Sequence, residues 1–186
     1  MIIFDLDGTL ADCEHRRHFV DPRHPKNIEI TSGCTIKINS QGYGESNHQI
    51  NKFTPDWKSF YEACDKDEPI VPTIRTFIDL FDEKEIKIWS GRCESVREKT
   101  TNWLIEQTAH FLCRKWIDKN LKMRPIGDYT PDDQLKEKWL NEYIDDMGNQ
   151  IYHDIEFVFD SDKKSIQMWR IRGIFVFDCN QIGSQF

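Results

Sequence analysis

Two aspartates two residues apart, Asp5 and Asp7, stand directly behind the apolar run Ile2-Ile3-Phe4 and just ahead of Gly8. Both carboxylates can reach one pocket only if the strand ends between them, and Gly8 supplies the backbone freedom for that turn. One can then attack while the other moves protons. A calcium loop is the competing reading, but it needs further oxygen ligands and a downstream Glu at a fixed offset, which this segment lacks. A second candidate, Ser90-Gly91-Arg92, also follows an apolar run and leads into a helix at about Glu94. A hydroxyl and backbone N–H groups at a helix start form a phosphate cradle. The third is Asp160-Ser161-Asp162 behind Phe157-Val158-Phe159, where Asp160 can complete an oxygen-rich cation site with Asp5.

Positioning these groups requires strands that end side by side. Short apolar runs at Ile2–Phe4, Ile86–Trp89, around Leu121–Met123, Ile155–Phe159 and Ile174–Phe177 alternate with stretches of helical period. Those stretches are Val71 to Phe81, Glu94 to Phe111, Pro131 to Ile144 and Lys164 to Ile171. The alternation predicts an α/β fold, a parallel sheet flanked by helices, with the site at the carboxyl ends of the strands. Residues from about Asp21 to Thr54, rich in Asn, Ser, Gly and Pro, break this rhythm. They are expected to form a small cap or lid insertion after the first motif, with Thr35 to Asn39 alternating as a small strand would. Asp56 to Tyr61 then reads as a short helix, and His15-Arg16-Arg17-His18 as a basic helical turn beside the site, open to a phosphate or to solvent.

With 186 residues, a single domain over residues 1–186 carrying one active site is expected. At 38% hydrophobic and 31% charged, with no apolar run near the ~20 residues of a membrane helix, the chain is not expected to enter a membrane. Its start runs straight into an apolar strand without a signal-peptide pattern, which points to the cytoplasm. The six cysteines show no zinc spacing, and reduced thiols are expected. A formal net charge of −7 argues against strong non-specific binding to a polyanion. A nucleic-acid substrate would be held locally, at an end.

The run Asp5-Leu6-Asp7-Gly8-Thr9-Leu10-Ala11-Asp12 resembles the first motif of the haloacid-dehalogenase superfamily of phosphotransferases, whose core is a Rossmann-like sheet. The resemblance implies that Asp5 is the nucleophile and Asp7 the general acid and base. It implies that Mg2+ is held by Asp5, the Asp7 carbonyl and Asp160. Ser90 and Gly91 then fit the second motif and bind phosphoryl oxygens, while Arg92 orients substrate. Lys136 is the best-placed lysine to neutralise the phosphate, with Lys138 in reserve. Superfamily relatives often carry two adjacent acids where this chain has Asp160-Ser161, so Asp162 is left either as a water-bridged ligand or as a surface residue.

Further matches lie in Arg97-Glu98-Lys99-Thr100, Trp103-Leu104, Met123-Arg124-Pro125, Gly127-Asp128 and Met168-Trp169-Arg170. These are similar to the phosphatase domain of bacteriophage polynucleotide kinase/3′-phosphatases and their relatives. That similarity puts Arg124 near the substrate phosphate and Arg97 on its approach. No GxxxxGK[ST] loop occurs, so a phosphatase without the kinase half is expected, acting in the cytoplasm, or a host's if phage-encoded. The expected substrate is a 3′-phosphate on a nucleic-acid end or nucleotide. A 5′-nucleotidase and a catalytically silent phosphate-binding module are the alternatives. Trp57 and Tyr43 are candidates for base stacking, and Trp89 and Trp169 for the core.

Overall fold

In the computed structural model, residues 1–27, 37–38, 44–45, 53–147 and 154–180 are described. Five parallel strands form the main sheet: β1 (Ile2–Phe4), β6 (Ile86–Cys93), β7 (Leu121–Arg124), β8 (Phe157–Asp160) and β9 (Val176–Asp178). Their order is β7-β6-β1-β8-β9, so the strand bearing Asp5 lies in the centre. Phe4 is in register with Ile88 on one side and Phe159 on the other. The three loops singled out for their chemistry therefore leave the sheet next to one another.

Alternation along β1 divides the core. Ile2 and Phe4 join Ile86, Ile88, Phe77, Trp103 and Leu104 on one face. Ile3 joins Trp89, Trp139, Leu140, Val158 and Trp169 on the other. The first face is covered by α2 (Val71–Phe81) and α3 (Arg97–Gln107), the second by α5 (Asp132–Met147) and α6 (Lys163–Ile171). Burial on both sides explains why these strands read as unbroken apolar runs. Trp89 and Trp169 are both core residues.

The helix expected from Glu94 to Phe111 is shorter: a 3-10 turn, Glu94–Val96, precedes α3, which stops at Gln107. Thr108 Oγ1 donates to the Leu104 carbonyl at 2.7 Å, and Ala109 and His110 take positive φ, turning the chain away. The seven-residue α4 (Arg114–Asn120) was not anticipated. Between β1 and α2 lie β2 (Ala11–Asp12), a 3-10 turn at Glu14–Phe19, α1 (Trp57–Glu62) and β5 (Glu68–Pro69). Strand β2 pairs antiparallel with β5, Asp12 opposite Glu68. Two further short strands, β3 (Lys37–Ile38) and β4 (Gly44–Glu45), pair antiparallel within the expected insertion. Its two ends, residues 21–27 and 53–54, are also described, and the remainder of that segment, with Tyr43 and Cys34, lies outside the described residues. Among the described residues no helix is long and apolar enough to cross a membrane, and the described cysteines are free.

Trp169 links core and site, its indole N–H donating to Asp160 Oδ2 at 3.0 Å. Trp169→Phe preserves most of the packing and removes one bond to a buried carboxylate. Urea unfolding should show a loss of about 1.5–3 kcal/mol, the range for hydrogen bonds to charged groups.

Candidate active site

Asp5 sits at the end of β1, 5% exposed, with its N–H bonded to the Phe159 carbonyl at 2.9 Å. Gly8, at φ +78°, turns the chain so that its N–H meets the Ala11 carbonyl at 2.7 Å. This turn carries Asp7 past the strand end. Lys136 reaches Asp5 from α5: its Nζ is 3.1 Å from Asp5 Oδ1 and 2.9 Å from Asp160 Oδ2. It is buried, whereas Lys138 is exposed. One turn earlier on the same helix face is Asp132. Burial alone would push the Lys136 pKa down, but Asp160, Asp5 and Asp132 outweigh it and hold the ammonium charged. Burial, then Asp160, Asp132 and Asp7, push the Asp5 carboxyl well up against the pull of Lys136. Desolvation, with Asp162 and Asp160, also raises Asp132. Three carboxylates thus face one ammonium.

Asp7 has a different environment. Arg16 Nη2 lies 2.7 Å and Arg92 Nη2 2.6 Å from its Oδ1. Both guanidinium groups, each 0% exposed, also bind Asp67. Arg16 Nε donates to Asp67 Oδ1 at 2.7 Å, and His15 Nε2 lies 2.8 Å from the same oxygen. Trp103 Nε1 donates to the Asp67 carbonyl at 2.7 Å. Burial would raise the Asp7 carboxyl, yet the two arginines hold it down at about 2. Arg92, read from sequence as orienting substrate, and Arg16, left open to a phosphate or to solvent, are thus tied to carboxylates.

Ser90 is buried in β6, its Oγ accepting the Arg92 N–H at 3.2 Å. A Cβ at Gly91 would lie 2.4 Å from the Asp132 carboxylate oxygens, so a side chain there would displace that carboxylate. The Gly91 carbonyl accepts from Arg124 Nε at 2.9 Å and from the Tyr61 hydroxyl at 3.3 Å. Arg124 also donates to the Thr130 carbonyl and to Asp132. It lines the cavity while clamping its wall. Arg97 is not brought there: it pairs with Glu94 at 2.6 Å and the Leu121 carbonyl at 3.1 Å. Asp162 faces the cavity and caps α6, accepting the Ser165 N–H at 2.7 Å.

The cavity, about 510 Å³, opens over Asp5 and Asp7. Trp57, 45% exposed, and Tyr129, 86% exposed, stand at its rim, and acidic side chains outnumber the basic Lys58, Arg124 and Lys164. Sequence reasoning missed Asp67, Asp132 and Tyr129. Asp132 had a signal, four residues before Lys136 at a helix start. Asp67 had none, because only the β2–β5 pairing brings it to the catalytic loop.

Residues 56–183 match the family described as the polynucleotide kinase PNKP phosphatase domain. No curated protein matches the chain. Among solved structures, a chain of the Pnkp1/Rnl/Hen1 RNA repair complex superposes with a TM-score of 0.57 at 18% identity, over 96% of this chain and 41% of that one. One from a Pnkp1/Rnl/Hen1 complex gives 0.54 at 19% identity, over 95% and 44%. The chain thus spans less than half the length of these two structures, and at such identity the likeness shows the α/β fold alone. The family match covers most of the sequence and includes the Ser90 loop, Lys136 and Asp160. The chain belongs to the PNKP phosphatase domain family and is a phosphatase of the haloacid-dehalogenase superfamily.

Proposed function

We propose that the protein is a Mg2+-dependent phosphomonoesterase that removes a 3′-phosphate from a nucleic-acid end or nucleotide through an aspartyl-phosphate on Asp5. The observation that carries this reading is the buried Asp5 carboxylate, 3.1 Å from Lys136 at the floor of a cavity with an aromatic rim. An Asp5 oxygen attacks phosphorus, and the bond from phosphorus to the sugar oxygen breaks. Asp7, having taken up a proton from solvent as the phosphate enters, delivers it to that leaving oxygen. It then accepts one from the water that attacks the aspartyl-phosphate, releasing phosphate and restoring Asp5. Arg16 and Arg92 keep Asp7 ionised and oriented in the free protein. The negative charge of an arriving phosphate raises its proton affinity, which suits the donor role.

The donor set fits a hard divalent cation. Asp5 and Asp7, which would offer a carboxylate and a backbone carbonyl, line the cavity, and the carboxylates of Asp5, Asp132 and Asp160 exceed the cations Lys136 and Arg124, leaving negative charge for a cation to offset. The Asp5 carboxylate and the Asp7 carbonyl would hold Mg2+, with the loop after β8 beside them. When bound it would neutralise charge on the phosphoryl group and on Asp5.

Trp57 and Tyr129 support a nucleoside leaving group, since bases stack on such rings. The acidic lining disfavours a long strand held by its phosphates. The same acidity favours the second reading, a nucleotidase for free mononucleotides.

A matched panel decides between them: 3′- and 5′-phosphorylated oligonucleotides, 3′- and 5′-mononucleotides, and an aryl phosphate, with Mg2+. The 3′-phosphorylated substrates should be preferred; selective release from 5′-mononucleotides would make the protein a nucleotidase. Trp57→Ala and Tyr129→Ala should each raise KM for nucleotide substrates at least about fivefold, leaving the aryl phosphate unaffected.

Asp7→Asn should slow turnover by roughly 10²–10⁴-fold. Asp5→Asn should abolish it, yet in EDTA at neutral pH it should melt higher than the parent. A carboxyl with a raised folded pKa costs nothing below its unfolded value and destabilises as pH rises through the folded one. The gain, roughly 2–4 °C per kcal/mol, should therefore vanish on acidification. A lower melting temperature at neutral pH would mean that the Lys136 pairing outweighs burial.

A further inference from the structure

The sequence points to Asp160 as the third ligand of a cation site, and its contacts speak against that role. Asp160 has a fully engaged carboxylate. Its Oδ2 accepts from Lys136 Nζ at 2.9 Å and Trp169 Nε1 at 3.0 Å, and its Oδ1 accepts the Asp162 N–H at 3.0 Å. It is wholly buried and does not line the cavity. Asp162 lines it, but its carboxylate caps α6. The side chain that lies against the Asp7 carbonyl is Ser161, whose hydroxyl donates to that oxygen at 2.9 Å and which does line the cavity.

That spacing has a chemical meaning. Neighbouring oxygens of an octahedral Mg2+ shell with bonds of 2.0–2.1 Å stand about 2.9 Å apart. A cation on the Asp7 carbonyl would therefore meet the Ser161 oxygen as a neighbour, once the hydroxyl hydrogen rotates away. To use Asp160 instead, the cation would compete with an ammonium, an indole N–H and a backbone N–H within the core.

We propose that Ser161 offers the divalent cation a neutral oxygen in the place where Asp160 was expected to offer a charged one. This rests on the reading above that the phosphatase uses such a cation. Asp5 then remains the one carboxylate directly presented to it. Affinity for such ions follows the number of charged ligands, so the free protein holds its cation loosely and position 161 sets how loosely. A phosphate oxyanion restores the missing charge, so cation and phosphate should strengthen each other's binding by the same factor.

The test needs no substrate. Mn2+ is titrated into the full chain and the free-ion signal is followed by electron paramagnetic resonance, with Mg2+ competition and with or without inorganic phosphate. Ser161→Asp should bind Mn2+ at least about tenfold more tightly and gain less from phosphate than the parent does. Ser161→Ala should bind more weakly, and Ser161→Asn should stay close to the parent, which assigns the tightening to charge. Melting curves in EDTA establish that each variant is folded. If Ser161→Asp does not fold, the Ser161→Ala titration decides alone. Unchanged affinity in Ser161→Ala, or unchanged or weaker affinity in a folded Ser161→Asp, overturns this inference while leaving the substrate reading intact. Absence of cation binding by the parent, with phosphate present, overturns it together with the metal dependence proposed above.

Discussion

Two arginines with no contact to solvent, Arg16 and Arg92, are bound between two aspartates, Asp7 and Asp67. Burying a charge costs several kcal/mol per ion unless close partners and hydrogen bonds compensate it. The four groups balance, two cations against two anions, and each guanidinium bridges both carboxylates. Removing any one would strand the others, so the segments carrying them are locked together. Those segments are the loop after β1, the 3-10 turn at Glu14–Phe19, the approach to β5 and the end of β6. The antiparallel pairing of β2 with β5 is their backbone counterpart.

Beside this balanced network lies a less balanced one, Asp5, Asp132 and Asp160 around Lys136, with Arg124 on Asp132. The balanced set fixes Asp7 in one orientation and keeps it ionised. The less balanced set leaves Asp5 with a charge that is poorly compensated in the free protein. Here Asp5 is pushed up while Asp7 is held at about 2.

The layout of the sheet was legible because strands buried on both faces must be apolar throughout, and because Asp5, Ser90 and Asp160 each stand where such a run ends. Ordering was less legible. That β1 lies between β6 and β8 follows from pairing, which no short-range pattern records. The site was legible in its types and less so in its contacts. Lys136 was singled out as a phosphate partner and lies against Asp5. Arg92 was expected to turn toward substrate, and the unremarkable Asp67 turns it inward. The α3 end escaped because a threonine hydroxyl and two left-handed residues stop the helix where apolar spacing continues.

Arg124 shows how a residue can line a cavity while its own groups are engaged elsewhere. Its guanidinium holds the Gly91 carbonyl, the Thr130 carbonyl and Asp132. Together with the Tyr61 hydroxyl it fixes the direction of the Gly91–Arg92 peptide, whose N–H turns to Ser90 Oγ. Donors that are already oriented need no reorganisation when charge develops on a phosphoryl group, and that saving is a main source of electrostatic catalysis. A side chain at position 91 would collide with the Asp132 carboxylate. A larger residue there would push that carboxylate off Arg124, so this wall of the cavity depends on contacts between β6, β7 and the start of α5 together.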